Sequence, residues 1–258
     1  MPADLPRFET QGMTWAERAK SGELGAVLAP TGSEARNRLL HASNLFGART
    51  ILRRARRHEG RPQTMVDFGC GTGRFIRFFG ARGFNVIGTD ITADMLAEAR
   101  RFGLPAGSEV FLTDGVHIPA ADASVDLVWV CGVLKYTLFV NPYQEFILQE
   151  SPVYPRVASE MHRVLKPGGL VANLEMYVNV QPELFIPAFE DAGFETKDIR
   201  VLYRNDGAPE LFLRKEKLPI RIATIGAKLS AAFRYAFDDP RRPGTGLRDY
   251  LFVWQKRG

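Results

Sequence analysis

Between residues 64 and 204, short runs of apolar and β-branched residues alternate with segments whose apolar positions recur at helical spacing. The runs are Thr64–Phe68, Asn85–Thr89, Glu109–Leu112, Asp126–Cys131, Leu170–Met176 and Phe194–Arg204, and Tyr250–Gln255 adds a seventh. Alternation of this kind predicts parallel strands joined by helical crossovers, and the unbroken run Leu127-Val128-Trp129-Val130 suits a strand buried on both faces. The fold class expected is therefore α/β: a doubly wound, Rossmann-like sheet with helices on both faces. Its ligand site should open at the carboxyl ends of the strands, beside the first one.

Outside that core the pattern is weaker. Ser33 is placed to cap a helix from Glu34 to about Arg57, with Ala35, Leu39, Ala42, Leu45, Phe46 and Leu52 at roughly helical spacing. Arg53, Arg54, Arg56 and Arg57 complement the dipole at its end. Residues 1–32 read as a lid or arm. In the long stretch before the last strand, Pro219 can open a helix with Ile222, Ile225, Leu229, Ala232, Phe233 and Ala236 on one face, expected against the core or a second subunit. We therefore divide the chain into an N-terminal helical cap, 1–63, and a core, 64–258, with a helical insertion at 205–249.

Composition narrows the class. The 258 residues are 45% hydrophobic and 24% charged, which excludes disordered, collagenous and coiled-coil chains. No uncharged apolar run approaches the roughly 18 residues of a membrane span, and a cytoplasmic protein is expected. Cys70 and Cys131 are too few for a disulfide scaffold, the four His are scattered, and no metal centre is expected. The net charge of +5 is uneven. Residues 1–63 hold eleven basic against six acidic side chains, 64–200 eleven against seventeen, and 201–258 twelve against six, so an acidic centre sits between basic flanks.

The chemistry concentrates in Val66-Asp67-Phe68-Gly69-Cys70-Gly71-Thr72-Gly73-Arg74-Phe75, where the first strand turns into a helix. Its glycines let backbone approach a ligand without a Cβ in the way. A dinucleotide fingerprint would place a glycine where Arg74 stands, so the spelling favours a smaller ligand. Asp90 closes the second strand, where a carboxylate can accept hydrogen bonds from both hydroxyls of a ribose. Thr92 is expected to cap the next helix, leaving Asp90 open to a ligand. Thr113-Asp114-Gly115 follows the third strand, and Asp114 is a candidate acceptor for an adenine amino group.

With these residues in order, and with Glu160-Met161-His162-Arg163-Val164-Leu165-Lys166-Pro167-Gly168-Gly169 entering the fifth strand, residues 64–176 resemble the core of class I S-adenosylmethionine-dependent methyltransferases, closest to the small-molecule group that includes ubiquinone-biosynthesis enzymes. The resemblance implies a seven-stranded sheet with its last strand antiparallel and S-adenosylmethionine as cofactor. It also implies that Asp67, Gly69, Cys70 and Gly71 surround the methionine part, Asp90 the ribose, Ile91, Asp114 and Gly115 the adenine, and that Cys131 stands beside the sulfonium. His117 and Tyr136 are the candidate bases if the acceptor is a hydroxyl. Lys135 is expected to be solvated and Tyr177 to be a wall residue. The activity implied is in-line methyl transfer to a small-molecule acceptor, with a homodimer as a possible assembly. The alternatives are an RNA methyltransferase using the basic flanks and a binding protein that keeps the cofactor without catalysis. The stretch 205–249 departs from the family, whose last two strands are usually joined by a tight hairpin.

Overall fold

The computed structural model describes residues 13–28, 34–55, 63–138, 152–178, 182–204 and 248–258, together with seven positions between 225 and 236. Two short helices, α1 (Trp15–Ala19) and α2 (Gly22–Val27), precede the long α3 (Glu34–Ala55). The core then runs β1 (Gln63–Phe68), α4 (Arg74–Gly80), β2 (Phe84–Asp90), α5 (Ala93–Arg101), β3 (Glu109–Leu112) and β4 (Val125–Cys131). It continues through α6 (Leu134–Leu138), α7 (Val153–Val164), β5 (Leu165–Val178), α8 (Pro187–Asp191), β6 (Phe194–Arg204) and β7 (Arg248–Lys256).

The seven strands form one sheet in the order β3-β2-β1-β4-β5-β7-β6. The pairs from β3 across to β5 are parallel, and β7 runs antiparallel to both β5 and β6. The order reverses between β1 and β4, which opens a crevice at their carboxyl ends. Alternation along β4 feeds two cores: Leu127 and Trp129 pack on the side of α3 and α4, Val128 and Val130 on the side of α7 and α8. All four are fully buried, each contributing roughly 1.5–3 kcal/mol of transfer free energy.

The helix expected at residue 34 is present, and Leu39, Ala42 and Leu52 of its expected face are buried, but the buried face is wider than that stripe. Leu40, Asn44, Ala48, Ile51 and Ala55 are buried, whereas Ala35 is exposed. α3 packs against β5 and β6 and also against α2, so its contact surface is wider than one apolar stripe and includes the polar Asn37 and Asn44. Arg54 pairs with Asp198 of β6 rather than serving the helix dipole alone. The positions described between 225 and 236 are helical. There Tyr235 docks on Phe46, with ring centroids 5.9 Å apart, and accepts a hydrogen bond from Arg54 at 2.8 Å. Ile225 and Leu229 stand exposed, so these two positions do not pack on the core of the same chain. Ser33, Arg56, Arg57, Pro219, Ile222 and Phe233 lie outside the described residues. Among the described residues no helix is long and apolar enough to cross a membrane, and no cluster of His, Cys, Asp or Glu is arranged to hold a metal.

Candidate functional site

The crevice between β1 and β4 deepens into a cavity whose open space, mouth included, is about 1020 Å³. Its floor is the loop between β1 and α4. Gly69 and Gly71 sit there at φ +71° and +53°, conformations that L side chains rarely adopt. A Cβ at Gly69 would come within 2.4 Å of Val133, and one at Gly71 within 2.6 Å of Val27. The loop is tied to β2 by Cys70 N–H, which donates to the Thr89 carbonyl at 2.8 Å, and by Gly71 N–H, which donates to Asp90 Oδ2 at 2.9 Å.

Two carboxylates line this floor. Asp90 takes Gly71 N–H on one oxygen and Thr92 N–H on the other, both at 2.9 Å. Burial pushes its pKa up, opposed by those backbone hydrogen bonds. Thr92 does occupy the N-cap of α5, but its side chain makes no capping bond. Asp90 is thus a loop clamp as well as a ligand candidate, and a carboxylate with about four lone-pair sites retains capacity for further donors. Asp67 is 2% exposed, and its Oδ2 has no hydrogen-bond partner. Desolvation pushes its pKa up to about 7, with the nearby Arg74 pulling in the opposite sense.

The cavity brings together Asp67, Gly69, Cys70, Gly71, Asp90, Ile91, Gly115 and Cys131. Asp114 is not among its lining residues. Asp114 Oδ1 instead accepts Val116 N–H at 2.9 Å and His117 N–H at 2.7 Å, folding the loop after β3 on itself. That fold carries His117 outward: its side chain is 67% exposed, and Nδ1 lies 3.2 Å from Glu160 of α7. The structure therefore does not bring His117 to the cavity. Tyr136 is there, edge-on to Trp15 at 5.6 Å between ring centroids. Lys135, expected in solvent, is buried: Nζ donates to the Met176 carbonyl at 2.6 Å and lies 3.9 Å from Glu175. The Tyr177 side chain lies outside the described residues. Both cysteines are free, and burial raises both thiols, Cys131 to about 12, so each is a neutral wall group at physiological pH.

The residues missed by pattern reading come from the first helices. Trp15 and Val27 close the cavity from above. A signal for them exists in Thr14-Trp15-Ala16-Glu17. Thr14 accepts Glu17 N–H and Glu17 accepts Thr14 N–H, the reciprocal capping that starts α1. Arg74, noted only for excluding a dinucleotide, also lines the cavity.

Residues 66–173 match the family model described as "Methyltransferase domain". Curated relatives include malonyl-[acyl-carrier protein] O-methyltransferases: that of Pectobacterium atrosepticum is 33% identical over 108 residues, covering 42% of this chain and 36% of that one. That of Enterobacter lignolyticus is 32% identical over 120 residues, covering 46% and 41%. The chain spans less than half the length of these relatives. Among solved structures, geranyl diphosphate C-methyltransferase from Streptomyces coelicolor superposes with a TM-score of 0.55 at 17% identity, covering 91% of this chain and 88% of that one. A complex between the Haloferax volcanii Trm112 methyltransferase activator and a methyltransferase gives 0.57 at 19% identity, covering 95% of each chain. At such identities the superpositions speak to fold, and the fold agrees with the sheet order above. Sequence match, fold and glycine loop all resemble those of S-adenosylmethionine-dependent methyltransferases. The residues present fit that cofactor: the loop methyltransferase domains use for it has no space for side chains at Gly69 and Gly71, and Asp67 keeps an unsatisfied buried oxygen facing the same space.

Proposed function

We propose that this protein transfers a methyl group from S-adenosylmethionine to a small-molecule acceptor. The observation that carries this reading is the pair Asp67 and Asp90 on the glycine floor of a cavity inside a methyltransferase domain. When bound, the cofactor supplies an electrophilic methyl on a sulfonium. Asp90 accepts hydrogen bonds from the ribose hydroxyls, and Asp67, ionised, holds the ammonium of the methionine part. Ile91 and Gly115 flank the adenine, with Asp114 at the rim. Trp15, Tyr136 and Cys131 exclude water and hold the acceptor in line. Tyr136 serves as an aromatic wall tolerant of positive charge.

The domain division belongs to the same proposal. Residues 1–63 act as a cap over the cavity, supported by Trp15 and Val27 in its lining, and the insertion at 205–249 shelters the outer side of α3 and β6 through Tyr235. The comparisons favour neither RNA methylation nor binding without turnover. The test is incubation with S-adenosylmethionine carrying a tritiated methyl and a total cell extract separated into small molecules and RNA. Label should accumulate in the small-molecule fraction and depend on Asp90. Label confined to RNA, or no transfer to either fraction, would refute the reading.

A further inference from the structure

The helix α6 is tied to the end of β5 by groups that lie outside the cavity. Glu175 is fully buried and is not among the cavity's lining residues. Its Oε2 accepts the Lys135 N–H in the first turn of α6 at 3.2 Å. The Lys135 ammonium folds back to the same strand, donating to the Met176 carbonyl at 2.6 Å and standing 3.9 Å from Glu175 Oε1. The turn before the helix is held as closely. Gly132 N–H donates to the Leu174 carbonyl at 2.8 Å, and a Cβ at Gly132, whose φ is +71°, would come within 2.7 Å of the Met176 side chain. Two cavity-lining side chains, Tyr136 and Thr137, are carried on this helix. The Lys135 ammonium also lies 5.2 Å from the centroid of the Tyr136 ring, the ring that meets Trp15 edge-on.

As a source of stability this arrangement is poor. Glu175 Oε1 and both polar atoms of the Asn173 amide, two residues earlier on the strand, find no hydrogen-bond partner among the described residues. A buried ion pair with unmet polar atoms recovers little of the desolvation it costs, and apolar side chains of similar size in its place are often neutral or stabilising. What apolar side chains would not supply is an acceptor for the Lys135 N–H, one of the donors that a helix leaves unpaired in its first turn. We infer that Glu175 is a positioning residue for methyl transfer, its carboxylate anchoring α6 so that Tyr136 and Thr137 keep their places in the cavity wall. The inference rests on the methyl-transfer reading above and adds to it a residue that touches neither cofactor nor acceptor. Alignment is the reason it matters: a displacement of about 1 Å in the groups that hold the reactants can slow transfer by roughly a hundredfold. Cofactor binding depends chiefly on Asp67, Asp90 and the Gly69–Gly71 turn, so it should survive the loss of the anchor.

The test compares two double variants of the full chain. Glu175→Leu with Lys135→Met removes the ion pair and the acceptor together, whereas Glu175→Gln with Lys135→Met removes the charges but keeps an oxygen for the Lys135 N–H. The first should melt no lower than wild type and bind S-adenosylhomocysteine within about threefold by calorimetry. It should nonetheless transfer tritiated methyl from saturating S-adenosylmethionine to the small-molecule fraction of a cell extract at least tenfold more slowly. The second should transfer at least fivefold faster than the first. In wild type the amides of 135–137 should exchange slowly with deuterium, a measurement that needs no variant. The inference is overturned if the first variant transfers methyl within twofold of wild type, if the second is as slow as the first, or if those wild-type amides exchange as fast as in an unfolded peptide. A first variant that loses rate, cofactor binding and melting temperature together would also overturn it, because Glu175 would then only hold the fold. A wild-type protein that transfers no label would overturn the methyl-transfer reading, and this inference with it.

Discussion

At the scale of single residues, Asp67 carries the sharpest consequence. With a raised pKa of about 7, the folded empty protein binds a proton there that the unfolded chain releases near its ordinary value of 3.8. The folded state therefore holds more protons between those two values, and stability declines as pH rises from about 4 to 7, with the full cost present above 7. Ligand affinity runs the other way, because an ammonium requires the ionised form. Affinity for S-adenosylhomocysteine should fall about tenfold per pH unit below 7 in wild type. Asp67→Asn should bind weakly, with no such slope, and unfold at a higher temperature at pH 8. Calorimetry between pH 5.5 and 8 checks the first and thermal melts the second; a flat wild-type profile would remove Asp67 from the binding role. Asp67, Asp90 and the glycines were legible because carboxylates and glycines are rare at strand ends without a reason. The placement of Asp114 and His117 was not legible because an Asx turn, formed by one oxygen and two backbone N–H groups, redirects the loop without changing the pattern of residue types.

Among the elements, the strands were legible nearly to the residue: Glu109–Leu112 and Phe194–Arg204 coincide with β3 and β6, although these are the two edge strands of the sheet and β6 runs antiparallel to its neighbour β7. β5 was not, and starts at Leu165 rather than Leu170, because Lys166-Pro167-Gly168-Gly169 looks like a turn yet still pairs its beginning with Val125. The two short helices α1 and α2 were the larger omission. α1 and α2 have five and six residues, too short for periodicity to show. Their coupling to the glycine floor is testable, because a Cβ at Gly71 would strike Val27 on α2. Gly71→Ala should lower the melting temperature and weaken S-adenosylhomocysteine at least tenfold. Adding Val27→Ala should recover part of the lost stability by relieving the clash, leaving the cost of a positive φ, roughly 1 kcal/mol. A double variant no more stable than Gly71→Ala alone would show that α2 does not press on the loop.

For the whole molecule, the reversal of sheet order between β1 and β4 puts the floor of the cavity in the acidic middle of the chain. An acidic floor suits a cationic cofactor. The parallel core was legible from alternation, and the antiparallel last strand and Cys131 in the cavity from the resemblance; Trp15 was not, because it comes from a distant stretch that only the folded chain brings to the cavity. All of this depends on one claim, that the cavity over Gly69 and Gly71 holds S-adenosylmethionine. Titration calorimetry of the full chain with S-adenosylhomocysteine tests it most directly. The account predicts one site per chain and at least a tenfold loss of affinity in Asp90→Ala, the loss of hydrogen bonds to a charged acceptor worth roughly 1.5–3 kcal/mol. A folded wild-type protein that gives no binding heat, or an Asp90→Ala variant that binds as well as wild type, would contradict it.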